Sequence, residues 1–141
     1  MKKRMILLWS LMLTTLFVGC GDTTPSNVKI DYGNSSIYTK EDMNEAIETI
    51  KEEFNKWEGC ELHSLSYVSD DCNNMDNIAW MNDLKKAKNI EEVFSQCIMF
   101  KSSFHSPKKG GGAWEADTEY TWSWWLARSE GGKWKLMNWG Y

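Results

Sequence analysis

His63 and Tyr67 are the side chains whose types and spacing first suggest chemistry. The segment Glu61 to Ser69 reads as a strand, with Leu62 and Val68 on one side and His63, Leu65 and Tyr67 on the other. If that second face lines a cavity, His63 is placed to act as a general base and Tyr67 as a hydrogen-bond donor. A half-exposed strand tolerates both residues without any reaction, so the chain is read as non-enzymatic, with His63 and Tyr67 as the enzyme alternative. His105, before Ser106 and Pro107, is read as a loop residue without a partner. No G-x-S-x-G elbow occurs.

The run Asp70-Asp71-Cys72-Asn73-Asn74-Met75-Asp76 invites comparison with a calcium loop. Counted from Asp71, Asn73 fits the third position, but Met75 falls at the fifth, Asp76 where glycine is needed and Asn82 where the bidentate Glu belongs. The segment is better explained as the start of a helix. Lys108-Lys109-Gly110-Gly111-Gly112 has its lysines before its glycines, the reverse of a phosphate-binding loop, and reads as a flexible hairpin tip. Neither the histidines nor the cysteines form a zinc pattern, and no metal or cofactor is expected.

Tryptophan is the compositional outlier. Nine occur in 141 residues, six of them between Trp114 and Tyr141. Alternate spacing at Trp122 and Trp124 is what core packing gives. Trp125, on the opposite strand face, and Trp114, beside the glycines, fit one core less well and suggest a second buried surface or an exposed patch. Tyr67, Trp80, Trp114 and Trp125 are the candidate ligand-binding residues.

Where the domain sits is written at its start. Lys2, Lys3 and Arg4 precede fourteen uncharged residues, Met5 to Val18, eleven of them apolar, followed by Gly19-Cys20. This is a secretory signal, too short for the roughly 20-residue span of a bilayer, a retained span being the alternative. Leu16-Phe17-Val18-Gly19-Cys20 resembles a bacterial lipobox, with Phe17 in place of the usual leucine. The expectation is cleavage after residue 19, diacylglyceryl anchoring through Cys20, a flexible tether over residues 20–36, and a single domain over residues 37–141. The protein would then sit on the outer side of the cell membrane, held by lipid rather than by a span.

The net charge of −4 falls to −7 once Lys2, Lys3 and Arg4 leave with the signal. That sign excludes a phosphate-binding surface, and nucleic acid is not an expected partner. Processing leaves Cys60, Cys72 and Cys97, an odd number. A strand between Cys60 and Cys72 would hold them beyond the roughly 7 Å limit of a disulfide, which favours buried thiols.

The positioning elements follow from periodicity. Thr39 caps a helix with Glu41 and Asp42 in its first turn and Met43, Ala46, Ile47, Ile50, Phe54 and Trp57 at helical spacing, ended by Gly59. A shorter helix is predicted over about Met75 to Ala87. Val93 to Phe104 carries apolar residues on both faces, as a central strand does. Glu119 to Arg128 and Lys133 to Tyr141 complete a hairpin across Ser129-Glu130-Gly131-Gly132, with Trp134, Leu136 and Asn138 on one side of the last strand.

The expected fold class is α+β: a long N-terminal helix packed on a curved antiparallel sheet of about four strands, with a short second helix. The ending Trp122-x-Trp124-x-Leu126-x-Arg128, then Trp134, then Gly140-Tyr141, with the helix exit Phe54-Asn55-Lys56-Trp57-Glu58-Gly59-Cys60, resembles a family of uncharacterised Gram-positive bacterial lipoproteins of the nuclear transport factor 2-like, cone-shaped superfamily. The likeness covers roughly Tyr38 to Tyr141. It implies a sheet wrapped around a long helix, often with a pocket at the wide end, and no particular activity, because that superfamily holds enzymes, binding proteins and transport adaptors. The expected function is binding of a small molecule or an envelope protein. The alternatives are a lyase- or isomerase-like enzyme using His63 and Tyr67, and a structural accessory protein dimerising through Trp125.

Overall fold

The computed structural model describes residues 27–141. The signal segment, the cleavage site and Cys20 lie outside the described residues. Strand β1 (Lys29–Asp31) comes first, followed by helix α1 (Lys40–Phe54), strand β2 (Glu61–Tyr67), a 3-10 turn (Asp70–Cys72), helix α2 (Met75–Ala87) and strands β3 (Gln96–His105), β4 (Glu119–Arg128) and β5 (Lys135–Gly140). The five strands form one sheet in chain order, with β1 parallel to β2 and every other pair antiparallel.

This architecture corrects the expected one in four respects. The sheet has five strands rather than about four, and it is mixed rather than antiparallel. The helices are short, of 15 and 13 residues. The first is not N-terminal, because β1 precedes it inside the stretch read as a tether. The reason is local: Lys-Ile-Asp is too brief to show an alternation, and its backbone partners on β2 lie 35 residues away. The segment after β1 is also held, since Asp70 accepts hydrogen bonds from the Ser35 hydroxyl, the Ser36 amide and the Tyr67 hydroxyl.

Helix α1 begins in a capping box. The Thr39 hydroxyl accepts from the Asp42 amide at 3.1 Å, and the Asp42 carboxylate accepts from the Thr39 amide at 2.9 Å. Its buried stripe of Met43, Ala46, Ile47, Ile50 and Phe54 packs on the inner sheet face, where Leu65, Ile98, Phe100, Phe104, Trp124 and Leu126 are all fully enclosed. Trp124 Nε1 donates to the buried Ser102 hydroxyl at 2.8 Å, which meets the polar requirement of an indole at 0% exposure.

Helix α2 covers only part of the outer face. Met81 sits with Phe94, Cys97, Ala127 and Met137 in a second, smaller cluster. That explains why β3 and β4 are apolar on both sides at one end. Asn74 caps α2 by accepting from the Asn77 amide at 2.8 Å, and Asn73 accepts from the Cys97 amide at 2.9 Å. The acidic run before this helix therefore does the work of helix initiation and strand docking. The cysteines Cys60, Cys72 and Cys97 are free thiols.

Candidate functional site

Beyond the end of α1 the inner sheet face is covered by aromatic rings instead of a helix. The turn after α1 presents Trp57, and Gly59, at φ +76, redirects the chain where a Cβ would stand 3.0 Å from Pro107. Trp57 stacks on Trp124 at 5.2 Å between ring centres, contacts Trp114 at 5.2 Å, and meets Trp122 edge-on at 5.3 Å. Trp114 in turn contacts Trp122 at 5.0 Å and Tyr120 at 5.7 Å. Trp122 Nε1 is buried with these rings and has no hydrogen-bond partner among the described residues.

Where this stack reaches the surface it lines a cleft of about 500 Å³, formed by Trp57, Trp114, Pro107, Gly110, Gly111 and Gly112, with Lys56 and Glu58 at its rim. The β3–β4 connection that supplies Pro107, the glycines and Trp114 to this cleft is a folded loop. Ser106 and Thr118 close it, Gly110 donates to Pro107 O at 2.9 Å, and the Glu115 amide donates to the Tyr120 hydroxyl at 2.9 Å. All three glycines have positive φ, and a Cβ at Gly111 or Gly112 would meet nothing within 4 Å. The glycine stretch is thus bare backbone facing open space. A larger groove of about 720 Å³ runs along the polar side of α1, lined by Glu41, Glu45, Glu48 and Glu52 with Lys133 and Trp134. Its carboxylates belong to a solvated helix face, and it offers one aromatic ring.

A second polar constellation lies on the outer face, at the sheet end that α2 leaves bare. Glu119 receives both imidazoles: His63 Nδ1 lies 3.1 Å from Oε1 and His105 Nδ1 3.0 Å from Oε2. His105 Nε2 lies 2.7 Å from Asp117, and His63 Nε2 is 3.6 Å from Glu61. The two rings are 6.2 Å apart and nearly parallel. Each nitrogen faces a different carboxylate oxygen. Among the described residues no group of three or more such side chains is arranged to hold a metal ion.

The expected site residues are not brought together. A bulge between Leu62 and Ser64 changes the phase of β2, so that Leu62, Leu65 and Tyr67 face the core while His63 faces outward. His63 and Tyr67 therefore lie on opposite sides of the sheet, and the acid–base pair they would have made does not form. Tyr67 is 5% exposed and donates to Asp70 at 2.7 Å. Burial raises its pKa, and the hydrogen bond to Asp70 raises it further. Trp80 and Trp125 pack edge-to-face at 5.3 Å, so α2 of the same chain covers the Trp125 face. Of the four candidate ligand residues only Trp114 lines the cleft.

His105, read as a loop residue without a partner, is the last residue of β3 and has two carboxylate partners. The hairpin register was the available signal, since a connection over 106–118 sets His105 opposite Glu119. The sequence places Trp57 in the helix stripe and in the helix exit, and neither reading makes it a ligand-binding residue. Its place after the last helical turn and before Gly59 was the sign that it leaves the helix.

Among the described residues no helix is long and apolar enough to cross a membrane. No protein-family model matches the chain, and neither the curated proteins nor the solved structures provide a match.

Proposed function

We propose that this is an exported, lipid-anchored binding domain that takes a small ring-bearing molecule, such as a sugar, in the cleft between Trp57, Trp114 and the glycine loop. One observation carries the reading. Two tryptophans whose inner contacts finish the core line a cleft together with open glycine backbone. Indole faces supply stacking area at little entropic cost, and bare peptide groups supply hydrogen bonds to hydroxyls without side chains in the way. The rim carries one cation and one anion, Lys56 and Glu58, which suits a ligand without strong net charge. The outward position of His63 and the burial of Tyr67 leave the enzyme alternative without a paired acid and base, and Trp80 occupies the face that dimerisation through Trp125 would need.

Native mass spectrometry of the full chain, released gently from membranes, tests the cleft. The expected result is a small co-purifying mass that is lost on denaturation and absent from Trp114→Ala, while a bare mass for the unaltered protein refutes the reading. The anchor is tested separately by palmitate labelling of the unaltered protein against Cys20→Ser. Equal labelling of the two refutes it.

A further inference from the structure

The loop that carries Trp114 to the cleft is tied at its far end to His105 on the outer face. Asp117 sits in the left-handed backbone region, at φ +50, which is uncommon for a residue other than glycine. Its amide donates to Pro107 O at 2.9 Å, and its carboxylate meets His105 Nε2 at 2.7 Å. The remaining ties of the loop run through the Ser106 hydroxyl, the backbone of Ser106 and Thr118, and the Tyr120 hydroxyl, which accepts from the Glu115 amide at 2.9 Å.

We infer that His105 is a proton-dependent latch on this loop, holding Trp114 in the cleft wall while it is an imidazolium and releasing the loop when it becomes neutral. An imidazolium has two N–H donors, and both acceptors here are carboxylates. A neutral ring keeps one donor and turns a bare nitrogen toward a carboxylate oxygen at 2.7 or 3.0 Å, depending on the tautomer. The groups facing His105 are Glu119 from β4, Asp117 from the loop, and His63 with Glu61 from β2. His63 is a poorer latch for a geometric reason. Its Nδ1 can donate to Glu119 in the neutral ring as well, because Nε2, at 3.6 Å from Glu61, makes no hydrogen bond that requires a second proton.

The hydrogen bond to Asp117, followed by that to Glu119, raises the pKa of His105 above the ordinary histidine value. A raised folded-state pKa means that the stabilisation is complete below about pH 6.5 and is lost as pH rises through the higher folded value. The His105 side chain is 35% exposed, so the effect is modest and weakens with salt.

The latch stands independently of the cleft; only its consequence for ligand binding rests on the proposed function. Hydrogen–deuterium exchange of the 106–118 peptides is measured on the full chain in detergent between about pH 5.5 and 8.5, corrected for intrinsic exchange. Protection of the loop is expected to fall about two- to fivefold with rising pH in the unaltered protein. It is expected to be low and flat in His105→Gln and unchanged in profile in His63→Gln, with α1 protection reporting that each variant is folded. Asp117→Asn keeps a residue that tolerates the left-handed region but removes the charge, so its midpoint moves to lower pH. A flat profile in the unaltered protein, or a His105→Gln profile that follows it, overturns the latch. If the profile appears and no ligand co-purifies, the latch holds and the cleft reading fails.

Discussion

Asp42→Ala tests the join between α1 and the sheet most severely, because one carboxylate serves two structures. Its Oδ2 completes the capping box with Thr39, and its Oδ1 accepts from Arg128 at 2.9 Å. Arg128 has a side chain only 9% exposed, beside Asp42 at 25%. It also donates through Nε to Gln96 and lies 4.2 Å over the Trp134 ring, whose Nε1 donates to Asp42 O at 2.9 Å. Half of a capping box contributes about 0.5 kcal/mol. Removing one partner of a fully buried ion pair costs about 3–5 kcal/mol, and the partial exposure of Asp42 reduces that to about 2. The expected loss is therefore about 2.5 kcal/mol, or roughly 10 °C in melting temperature for a domain of this size. Circular dichroism against urea and temperature measures it.

The pH dependence gives a second, independent reading. The Thr39 amide, the largest influence, holds the Asp42 carboxyl below its usual range; burial opposes it, and the Arg128 guanidinium adds to the lowering. A depressed folded-state pKa contributes stability above the unfolded value of about 3.9 and loses it as pH falls through the folded value. The gap between the unaltered protein and Asp42→Ala should therefore close in strong acid. A loss under about 1 kcal/mol at neutral pH, or a gap that persists unchanged at about pH 2, would refute the reasoning.

Ser102→Ala leaves the fully buried Trp124 indole N–H without its acceptor and should cost about 1–3 kcal/mol, while Ser102→Ala with Trp124→Phe should cost less than the sum of the two single changes. Urea unfolding of the four proteins checks this, and strict additivity would count against the bond. Burial pushes the Cys97 thiol up to about 12 and also raises Cys72 and Cys60. In the native protein a thiol reagent should therefore modify half-buried Cys60 first and reach Cys72 and Cys97 only on unfolding, as peptide mass mapping would show.

Local signals made much of the frame legible. Thr39 with Asp42, and the stripe from Met43 to Phe54, specify α1 within one stretch of chain, and Met75–Ala87 is helical where its spacing places it. The span Glu119–Arg128 is a strand where its alternation places it. What stayed hidden depends on pairing. Strand β1 is three residues long and has no pattern of its own without β2. The bulge at His63 is one extra residue in β2, invisible in composition, yet it moves every side chain after it to the other face. A second bulge between Trp125 and Leu126 does the same in β5, so Asn138 does not share the inner face with Leu136.

The candidate site divides in the same way. By itself the sequence determined that tryptophan is concentrated near the C-terminal end, that a glycine run interrupts it, and that only two histidines are present. Composition and local spacing are properties of the chain alone. Only the tertiary structure decided that Trp57, from the exit of α1, stands against Trp114, that Trp125 is covered by Trp80, and that both histidines converge on Glu119. Those meetings are set by strand register and by which face each helix covers. Long-range backbone pairing fixes both, and no neighbouring residues in the sequence encode it.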